Sequence, residues 1–325
     1  MSAQTFCGEG GGTPPPRVFP LFVLPVFAKL NLTLRVTGRR ENGYHDLVSL
    51  FLRIPSGETL FVSPLPPDSP EDQVVVRGID LRITGENIVS RALRLARAGA
   101  QIPPLKVEIS KALYPGSGLG SGSGNAAAIL RWLAPRYPQL PWQDIARRTG
   151  ADVPFLFSAL PAAQVTGVGD QLKQLPSLTL SGVVAFPEWD VGTGNAYAEL
   201  DSAYKDGYPL GESQAEGELV QIHRCLSEGR RAGFCTVIAP YPGDGNGSKR
   251  TSGPCGAGLL PNDFLPPLVA AHPQYQELFT LFEEARAMGW GITGSGGAAF
   301  ALFERGIAPE LMWPAWVRQV LCFNL

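Results

Sequence analysis

The segment Pro115-Gly-Ser-Gly-Leu-Gly-Ser-Gly-Ser-Gly-Asn125 is the most informative stretch of this chain. It follows an alternating, strand-like run and leads into an alanine-rich run with high helix propensity. Glycine tolerates positive φ and lets a ligand approach the backbone, and successive amide groups before a helix N-terminus form a cradle for anions. We therefore predict a loop over Gly116–Gly124 that binds the triphosphate of a nucleotide, with hydroxyl contacts from Ser121 and Ser123.

Other meanings of a glycine-rich segment fit this sequence less well. A flexible Gly/Ser linker seldom separates a strand from a helix. The P-loop pattern needs a lysine after its glycines, and none follows them here. A lenient dinucleotide-binding pattern occurs at Gly294, Gly296 and Ala299, but too few residues follow it for a complete βαβ unit.

The composition excludes several classes of protein. The chain has 325 residues, 44% of them hydrophobic and 17% charged, which is typical of a folded protein large enough for two domains. A formal net charge of −2 provides no general attraction for nucleic acid or an anionic membrane. No apolar run reaches the roughly 18 residues of a transmembrane helix, and two prolines interrupt the apolar stretch 18–28, which argues against a secretory signal.

Cysteine and histidine usage bears on the compartment and on metals. The five cysteines form no C-x-x-C pair, and the three histidines stand in no metal-binding arrangement. We therefore predict a reducing, cytoplasmic location and no metal site built by the protein alone.

Hydrophobic periodicity predicts strands and helices along the whole chain. Besides the loop, strands are predicted at 30–36, 47–54, 59–62, 74–76, 105–109, 179–186, 291–293 and 298–303. Helices are predicted at 87–97, 125–133, 142–149 and 274–288. A change of composition near 160–175 predicts an N-terminal domain over 18–165 and a C-terminal domain over 166–325. Residues 1–17 are predicted to be a disordered extension, and the Gly/Pro/Ser-rich residues 239–262 a mobile loop.

Six segments, in order along the chain, resemble one enzyme family. The glycine-rich loop resembles the phosphate-binding motif of the GHMP kinases, which include galactokinase, homoserine kinase and mevalonate kinase. The other segments resemble the diphosphocytidyl-methylerythritol kinase branch; they are F-A-K-L-N-L (27–32), T-G-R-R-E-N-G-Y-H-D-L (37–47), G-A-D-V-P-F (150–155), P-N-D (261–263) and G-I-T-G-S-G-G-A-A-F-A-L-F (291–303). The resemblance implies an α+β, two-domain GHMP kinase fold. Its N-terminal domain would be ribosomal-protein-S5-like and its C-terminal domain ferredoxin-like, with a cleft between them.

The resemblance also implies a reaction. Members of this branch use ATP to phosphorylate the 2-hydroxyl of 4-diphosphocytidyl-2-C-methyl-D-erythritol on the non-mevalonate route to isoprenoid precursors, with Mg²⁺ carried by the nucleotide. Lys29 and Asp152 are implied as the catalytic pair. Their chemistry suits phosphoryl transfer, because a carboxylate can accept the hydroxyl proton and an ammonium group can stabilise developing negative charge. Taken alone, Asp152 is more often a cap and Lys29 part of a solvated face.

The remaining site residues follow from their positions in the motifs. Asn31, Tyr44, His45 and Thr193 are expected to bind the substrate, since the two rings suit a flat cytosine base. The structural alternative for Tyr44 is an aromatic residue of the core. For His45 it is a polar residue near a turn whose hydrogen bonds are satisfied. The second glycine-rich loop, Gly294-Ser295-Gly296-Gly297, is expected to face the substrate phosphates. ATP is expected to contact Asn87, Lys111, Pro115, Gly116, Ser117, Gly118, Leu119, Gly120, Ser121, Gly122, Ser123, Gly124 and Asn125.

Three positions depart from the pattern of the branch. Gly124 replaces a serine, which removes a hydroxyl expected near the phosphates or Mg²⁺. Phe27 and Tyr114 stand where the branch has prolines, so that the proline of the loop is displaced to Pro115. A homoserine or mevalonate type of GHMP kinase and a catalytically inactive nucleotide-binding relative therefore remain alternatives. A monomer or weak homodimer is expected, with small-molecule partners only.

Overall fold

Two β-sheets organise the chain. The computed structural model describes residues 20–79, 85–232 and 258–325, and within them the first sheet has the strand order β3-β4-β2-β5-β6, with β1 paired to β2. Its strands are β1 (Phe22–Arg39), β2 (His45–Pro64), β3 (Gln73–Gly78), β4 (Leu105–Lys111), β5 (Ala162–Thr166) and β6 (Gln171–Leu175). All neighbours are antiparallel except β3 and β4. The predicted domain boundary at 165/166 falls in the β5–β6 hairpin, so the chain leaves this sheet only after Leu175.

The second sheet is antiparallel throughout, with the order β10-β7-β9-β8. Its strands are β7 (Leu180–Pro187), β8 (Gly289–Thr293), β9 (Ala298–Glu304) and β10 (Val317–Asn324). The α+β fold expected from the resemblance is thus present as two sheets with helices packed on them.

The helices divide between the two sheets. Four helices pack against the first sheet and supply most of the helical part of its core; they are α1 (Ile88–Arg97), α2 (Ser121–Leu133), α3 (Trp142–Thr149) and α4 (Val153–Ser158). Helices α5 (Thr193–Ala203), α7 (Leu265–Ala271) and α8 (Tyr275–Glu284) pack with one face of the second sheet, while α6 (Glu212–Ser227) packs in a core shared by both sheets. No helix among the described residues is long and apolar enough to span a membrane.

The helix predicted at 274–288 ends at Glu284, and two other sequence predictions also differ from this architecture. The helix predicted from Asn125 begins four residues earlier, at Ser121, because the left-handed backbone ends at Gly120 and the next residues are already helical. The predicted extension 1–17 lies wholly outside the described residues, and the predicted mobile loop 239–262 lies outside them up to residue 257. Its last part is buried and bonded, since Trp290 N donates to Gly258 O at 2.8 Å and Leu260 N donates to Trp290 O at 2.7 Å.

A buried group of charges ties β1 to the second half of the chain. Arg35 donates to both carboxylate oxygens of Glu218 on α6, at 2.8 and 2.9 Å, and to Asp263 at 2.6 Å. The other oxygen of Asp263 accepts from the backbone of Val36 at 2.8 Å. Asp263 is 2% exposed, so its charge depends on the arginine for compensation.

Replacing this arginine should therefore destabilise the fold. We expect Arg35→Met to lower the free energy of unfolding by about 3 kcal/mol, because two carboxylates lose their buried partner. Arg40→Met is the matched control, since its pair with Asp46 is exposed and should contribute little to stability. Urea unfolding followed by circular dichroism measures both, and equal small losses would contradict the assigned role of Arg35.

Candidate active site

The glycine-rich loop turns sharply and then opens α2. Gly116, Gly118 and Gly120 have φ values of +73°, +77° and +61°, a left-handed conformation that glycine adopts at little cost. These glycines alternate with Ser117 and Leu119, and the resulting turn leads the chain into the N-terminus of α2. The first amides of this helix have no partner within it. The loop and this helix end line a cavity of about 350 Å³, which is within the range of small-molecule sites.

The cavity is lined by apolar side chains and by residues of the glycine-rich loop. Val76 of β3, Ile88 of α1 and Ile109 of β4 provide apolar side chains. The lining also includes eleven of the residues predicted to contact ATP, namely Asn87, Lys111, Pro115, Gly116, Ser117, Gly118, Gly120, Ser121, Gly122, Ser123 and Asn125. The Asn87 side chain also caps α1 by accepting from Val89 N at 2.8 Å.

Lys111 is held by a carboxylate that the sequence analysis did not select. Its ammonium group lies 2.7 Å from Glu58 and donates to the Ser121 hydroxyl at 2.6 Å. Glu58 also accepts from Leu113 N at 3.0 Å, so it holds the backbone that leads into the loop. Burial lowers the pKa of Lys111, and the charge of Glu58 opposes that shift. An acid within the alternating pattern of β2 was the available sequence signal for Glu58.

Two predicted ATP contacts lie outside the cavity. Leu119 is fully buried in the core, and its carbonyl accepts from Lys29 N at 2.9 Å. Gly124 faces β1, where a β-carbon would collide with the carbonyl oxygen of Phe27. The serine hydroxyl that Gly124 lacks would therefore not point at the phosphates, which corrects the interpretation drawn from sequence.

Lys29 and Asp152 meet at Gly120. A β-carbon on this glycine would lie 2.8 Å from Oδ2 of Asp152 and 3.3 Å from Cγ of Lys29, so both side chains pack directly against its backbone. Asp152 precedes α4 but makes no capping hydrogen bond, and Lys29 is 6% exposed. Neither structural alternative considered from sequence, a cap for the carboxylate and a solvated face for the lysine, describes these residues.

The surroundings of Lys29 control its charge. Its ammonium group donates to Asn31 Oδ1 and lies 5.1 Å from the centre of the Phe51 ring. Burial lowers the pKa of Lys29, and the nearby charge of Asp152 raises it in part. Asn31 is fixed in turn, because its side chain donates to Ser49 at 2.9 Å and its backbone donates to Thr293 Oγ1 at 2.9 Å.

The second glycine-rich loop presses against the first. A β-carbon on Gly294 would lie 2.9 Å from Cα of Gly118, and one on Gly297 would lie 2.6 Å from the carbonyl oxygen of Gly116. Asn262 holds the second loop by donating to the carbonyl oxygens of Ile292 and Gly294, at 3.1 and 3.0 Å. Both loops therefore meet without intervening side chains.

Thr193 lies beside this second loop. It is the first residue of α5, and its hydroxyl is 3.3 Å from that of Ser295. Both hydroxyls therefore lie beside the N-terminus of α5.

Tyr44 and His45 have different environments. Tyr44 is 65% exposed, so it is not a core aromatic. His45 Nε2 lies 2.6 Å from Asp201, which also accepts from Tyr208 at 2.8 Å. The His45 ring stacks on Tyr197 with 4.6 Å between ring centres.

Tyr197 stacks on His45 and lies near the charge of Asp152. Burial, together with the carboxylates of Asp152 and Asp201, raises the pKa of Tyr197 to about 12. The hydroxyl therefore stays protonated at neutral pH. The sequence analysis predicted no helix at 193–203 and gave no signal for this tyrosine.

Comparison with known proteins agrees with this geometry. The model of the GHMP kinase N-terminal domain matches residues 87–158, which include the cavity loop and Asp152. A 4-diphosphocytidyl-2-C-methyl-D-erythritol kinase of Nitratidesulfovibrio vulgaris (strain DP4) is 33% identical over 298 residues, covering 85% of this chain and 88% of the relative. The chain belongs to the 4-diphosphocytidyl-2-C-methyl-D-erythritol kinase family.

Further relatives of this kinase family support the same assignment. The enzyme of that name from Porphyromonas gingivalis is 30% identical over 85% of this chain and 90% of its own length. A crystal structure of 4-(cytidine 5'-diphospho)-2C-methyl-D-erythritol kinase superposes with a TM-score of 0.68 at 26% identity, over 94% of this chain and 98% of that one. A mevalonate kinase of Staphylococcus aureus, at 14% identity and a TM-score of 0.52 over 94% of this chain and 99% of that one, shares the fold.

The contact at Gly120 leads to a prediction for this kinase. We expect Gly120→Ala to reduce kcat by at least tenfold, because the new methyl group displaces Asp152 and a left-handed alanine adds roughly 1–2 kcal/mol of strain. Gly217→Ala on α6 is the control, since nothing lies within 4 Å of its added carbon. Steady-state kinetics and urea unfolding measured together separate lost catalysis from lost folding. Wild-type kcat in Gly120→Ala would contradict this geometry.

Proposed function

We propose that this chain transfers the γ-phosphoryl group of ATP to the 2-hydroxyl of 4-diphosphocytidyl-2-C-methyl-D-erythritol. The observation that carries the proposal is the meeting of Lys29 and Asp152 at Gly120, where the cavity loop enters α2. Asp152 accepts the proton of the hydroxyl, whose oxygen bonds to the γ-phosphorus as the bond to the β-phosphate oxygen breaks. Lys29 stabilises the negative charge that develops on the transferred group. The products are ADP and the 2-phosphate.

The cavity supplies the nucleotide site in this proposal. Backbone amides of the loop and the dipole of α2 suit the phosphate groups. The Ser121 hydroxyl accepts from Lys111, which leaves its own proton free to be donated to a phosphate oxygen. Glu58 positions Lys111, so the one cation among the described residues that line the cavity is fixed at its wall.

Mg²⁺ is proposed to enter with the nucleotide. The described residues contain no group of three or more His, Cys, Asp or Glu side chains that could hold a metal ion. Magnesium commonly takes most of its ligands from phosphates and water, so a single protein oxygen suffices. Asn125 lines the cavity, and its Oδ1 is buried without a hydrogen-bond partner, so it fits this role. When bound, the ion would neutralise phosphate charge.

The diphosphocytidyl substrate is proposed to lie on the other side of Gly120. Asn31 borders Lys29 there, and Tyr44 and His45 provide aromatic surface for the cytosine base. The hydroxyls of Thr193 and Ser295 suit the diphosphate as donors. Tyr197 extends the aromatic surface between His45 and Asp152.

The alternatives from sequence have weaker support. The homoserine and mevalonate kinases that resemble this chain in structure are 17% and 14% identical to it, which reflects a shared fold. The possibility that the chain is an inactive relative rested on Gly124, and this residue faces Phe27 rather than the loop cavity.

The setting of the reaction is proposed from the sequence and the family. A cytoplasmic location fits the lack of paired cysteine motifs and the supply of ATP. A monomer or weak homodimer that acts on small molecules, without nucleic-acid or membrane partners, fits the near-neutral net charge.

A substrate panel tests the proposed function. We expect the purified chain to phosphorylate the diphosphocytidyl substrate and to leave homoserine and mevalonate unchanged. Lys29→Ala and Asp152→Asn should each reduce kcat by about 10²–10⁴ while ATP binding by calorimetry is retained. Exposed Lys106→Ala and Asp68→Asn serve as controls. Turnover of mevalonate alone, or full turnover by both variants, would refute the assignment.

The lowered pKa of Lys29 predicts a pH dependence. The protonated form is the active one, so kcat/KM should fall as pH rises through a pKa that lies below the ordinary lysine value. Lys29→Arg should move this alkaline limb to higher pH, because arginine stays charged, even with a smaller maximum rate. Exposed Lys173→Arg should leave the profile unchanged. A limb that Lys29→Arg does not move would show that another group titrates.

A further inference from the structure

Tyr114 borders the nucleotide cavity and is covered from outside by an arginine. The Tyr114 side chain stands just before the loop, at a position where the family pattern has proline, and the residue lines the cavity. The Arg318 guanidinium carbon lies 3.9 Å from the centre of the Tyr114 ring. This distance is a close cation–π contact, so Arg318 covers one side of the ring.

Arg318 is itself anchored. It donates to Asp190 at 2.8 Å, on the connection that follows β7. The next residue, Gln319, donates to the carbonyl oxygen of Ala112 at 2.7 Å. Strand β10 of the second sheet therefore reaches the start of the nucleotide loop at two points and restricts how far the Tyr114 ring can move.

The rest of the cavity indicates what such a ring would contact. The phosphate groups fit the amides of the loop and of α2, so a bound nucleotide must direct its base toward another part of the cavity. Val76, Ile88 and Ile109 line the same cavity as Tyr114 with apolar side chains. An aromatic ring and apolar side chains in one cavity favour a planar base, because stacking covers the faces of the base without requiring hydrogen bonds.

We propose that Tyr114, backed by Arg318, is a stacking platform for the adenine ring of ATP. The inference rests on the proposed function, since it takes ATP as the nucleotide. It makes Tyr114 a binding residue and Arg318 a positioning residue that acts through it. The second sheet thereby contributes to the proposed nucleotide site as well as to the proposed substrate site.

Calorimetric titration with ATP and with inorganic tripolyphosphate tests the platform on the full chain. We expect Tyr114→Leu to weaken ATP binding about tenfold, which is typical for the loss of one stacked base, and to leave tripolyphosphate binding unchanged. Tyr114→Phe should stay within about twofold of wild type, because the ring is retained. Arg318→Met should weaken ATP binding by a smaller factor, about threefold, and have little further effect in the presence of Tyr114→Leu.

The controls separate a binding platform from support of the loop. Arg224→Met removes an arginine from an exposed pair that is not part of the cavity lining and should change the binding of neither ligand. In turnover assays Tyr114→Leu should raise KM for ATP while kcat and KM for the cytidine substrate stay constant. Equal weakening of ATP and tripolyphosphate, or no weakening of ATP, would overturn the platform.

Wild-type measurements distinguish the two proposals. In one outcome the wild-type chain binds ATP more tightly than tripolyphosphate and Tyr114→Leu removes that difference, yet no diphosphocytidyl substrate is phosphorylated. This outcome would refute the proposed function and support the platform. A wild-type chain that turns over this substrate while Tyr114→Leu keeps full ATP affinity would refute the platform alone.

Discussion

The candidate active site depends on a close backbone contact at Gly120. This residue is left-handed, and its missing side chain leaves space for Asp152 on one side and Lys29 on the other. The neighbouring Leu119 carbonyl accepts from the backbone of Lys29, which fixes the loop to β1. A carboxylate and an ammonium group are thereby brought to the N-terminus of α2, where an anionic phosphate is best bound. Any residue with a β-carbon would separate these three elements.

A second close contact joins the two sheets. Gly294 and Gly297 of the second loop pack on the backbone of the first loop, and Asn262 holds the second loop from behind. Side chains at these glycines would force the loops apart, so the glycines serve packing between loops as well as ligand access. Asp263, next to Asn262, takes part in the buried charge group around Arg35. The stability of the fold and the placement of the site are therefore coupled through two adjacent residues.

Sequence reasoning predicted the parts of the site that have a local signature. The glycine pattern indicated the anion-binding loop, and the resemblance of two segments, F-A-K-L-N-L and G-A-D-V-P-F, to the family implied Lys29 and Asp152. It missed Glu58, whose one signal was an acid at a buried position of the alternating pattern of β2. It also missed Tyr197, because a tyrosine on a short helix has no distinctive pattern in one sequence. It misread Gly124, whose neighbour Phe27 lies nearly a hundred positions earlier. Local patterns report backbone conformation, whereas the direction of a missing side chain depends on packing.

The sequence by itself determined the family, the order of the main elements and the residue types available for phosphoryl transfer, since those follow from motifs and periodicity along the chain. Only the tertiary structure decided which of those residues meet. The packing brings Lys29 and Asp152 against the same glycine and directs Gly124 toward β1. It also holds Lys111 between Glu58 and Ser121, and it places Arg318 on the ring of Tyr114. Each of these contacts joins residues distant in sequence or depends on burial. Their geometry and charge are therefore set by how the elements pack.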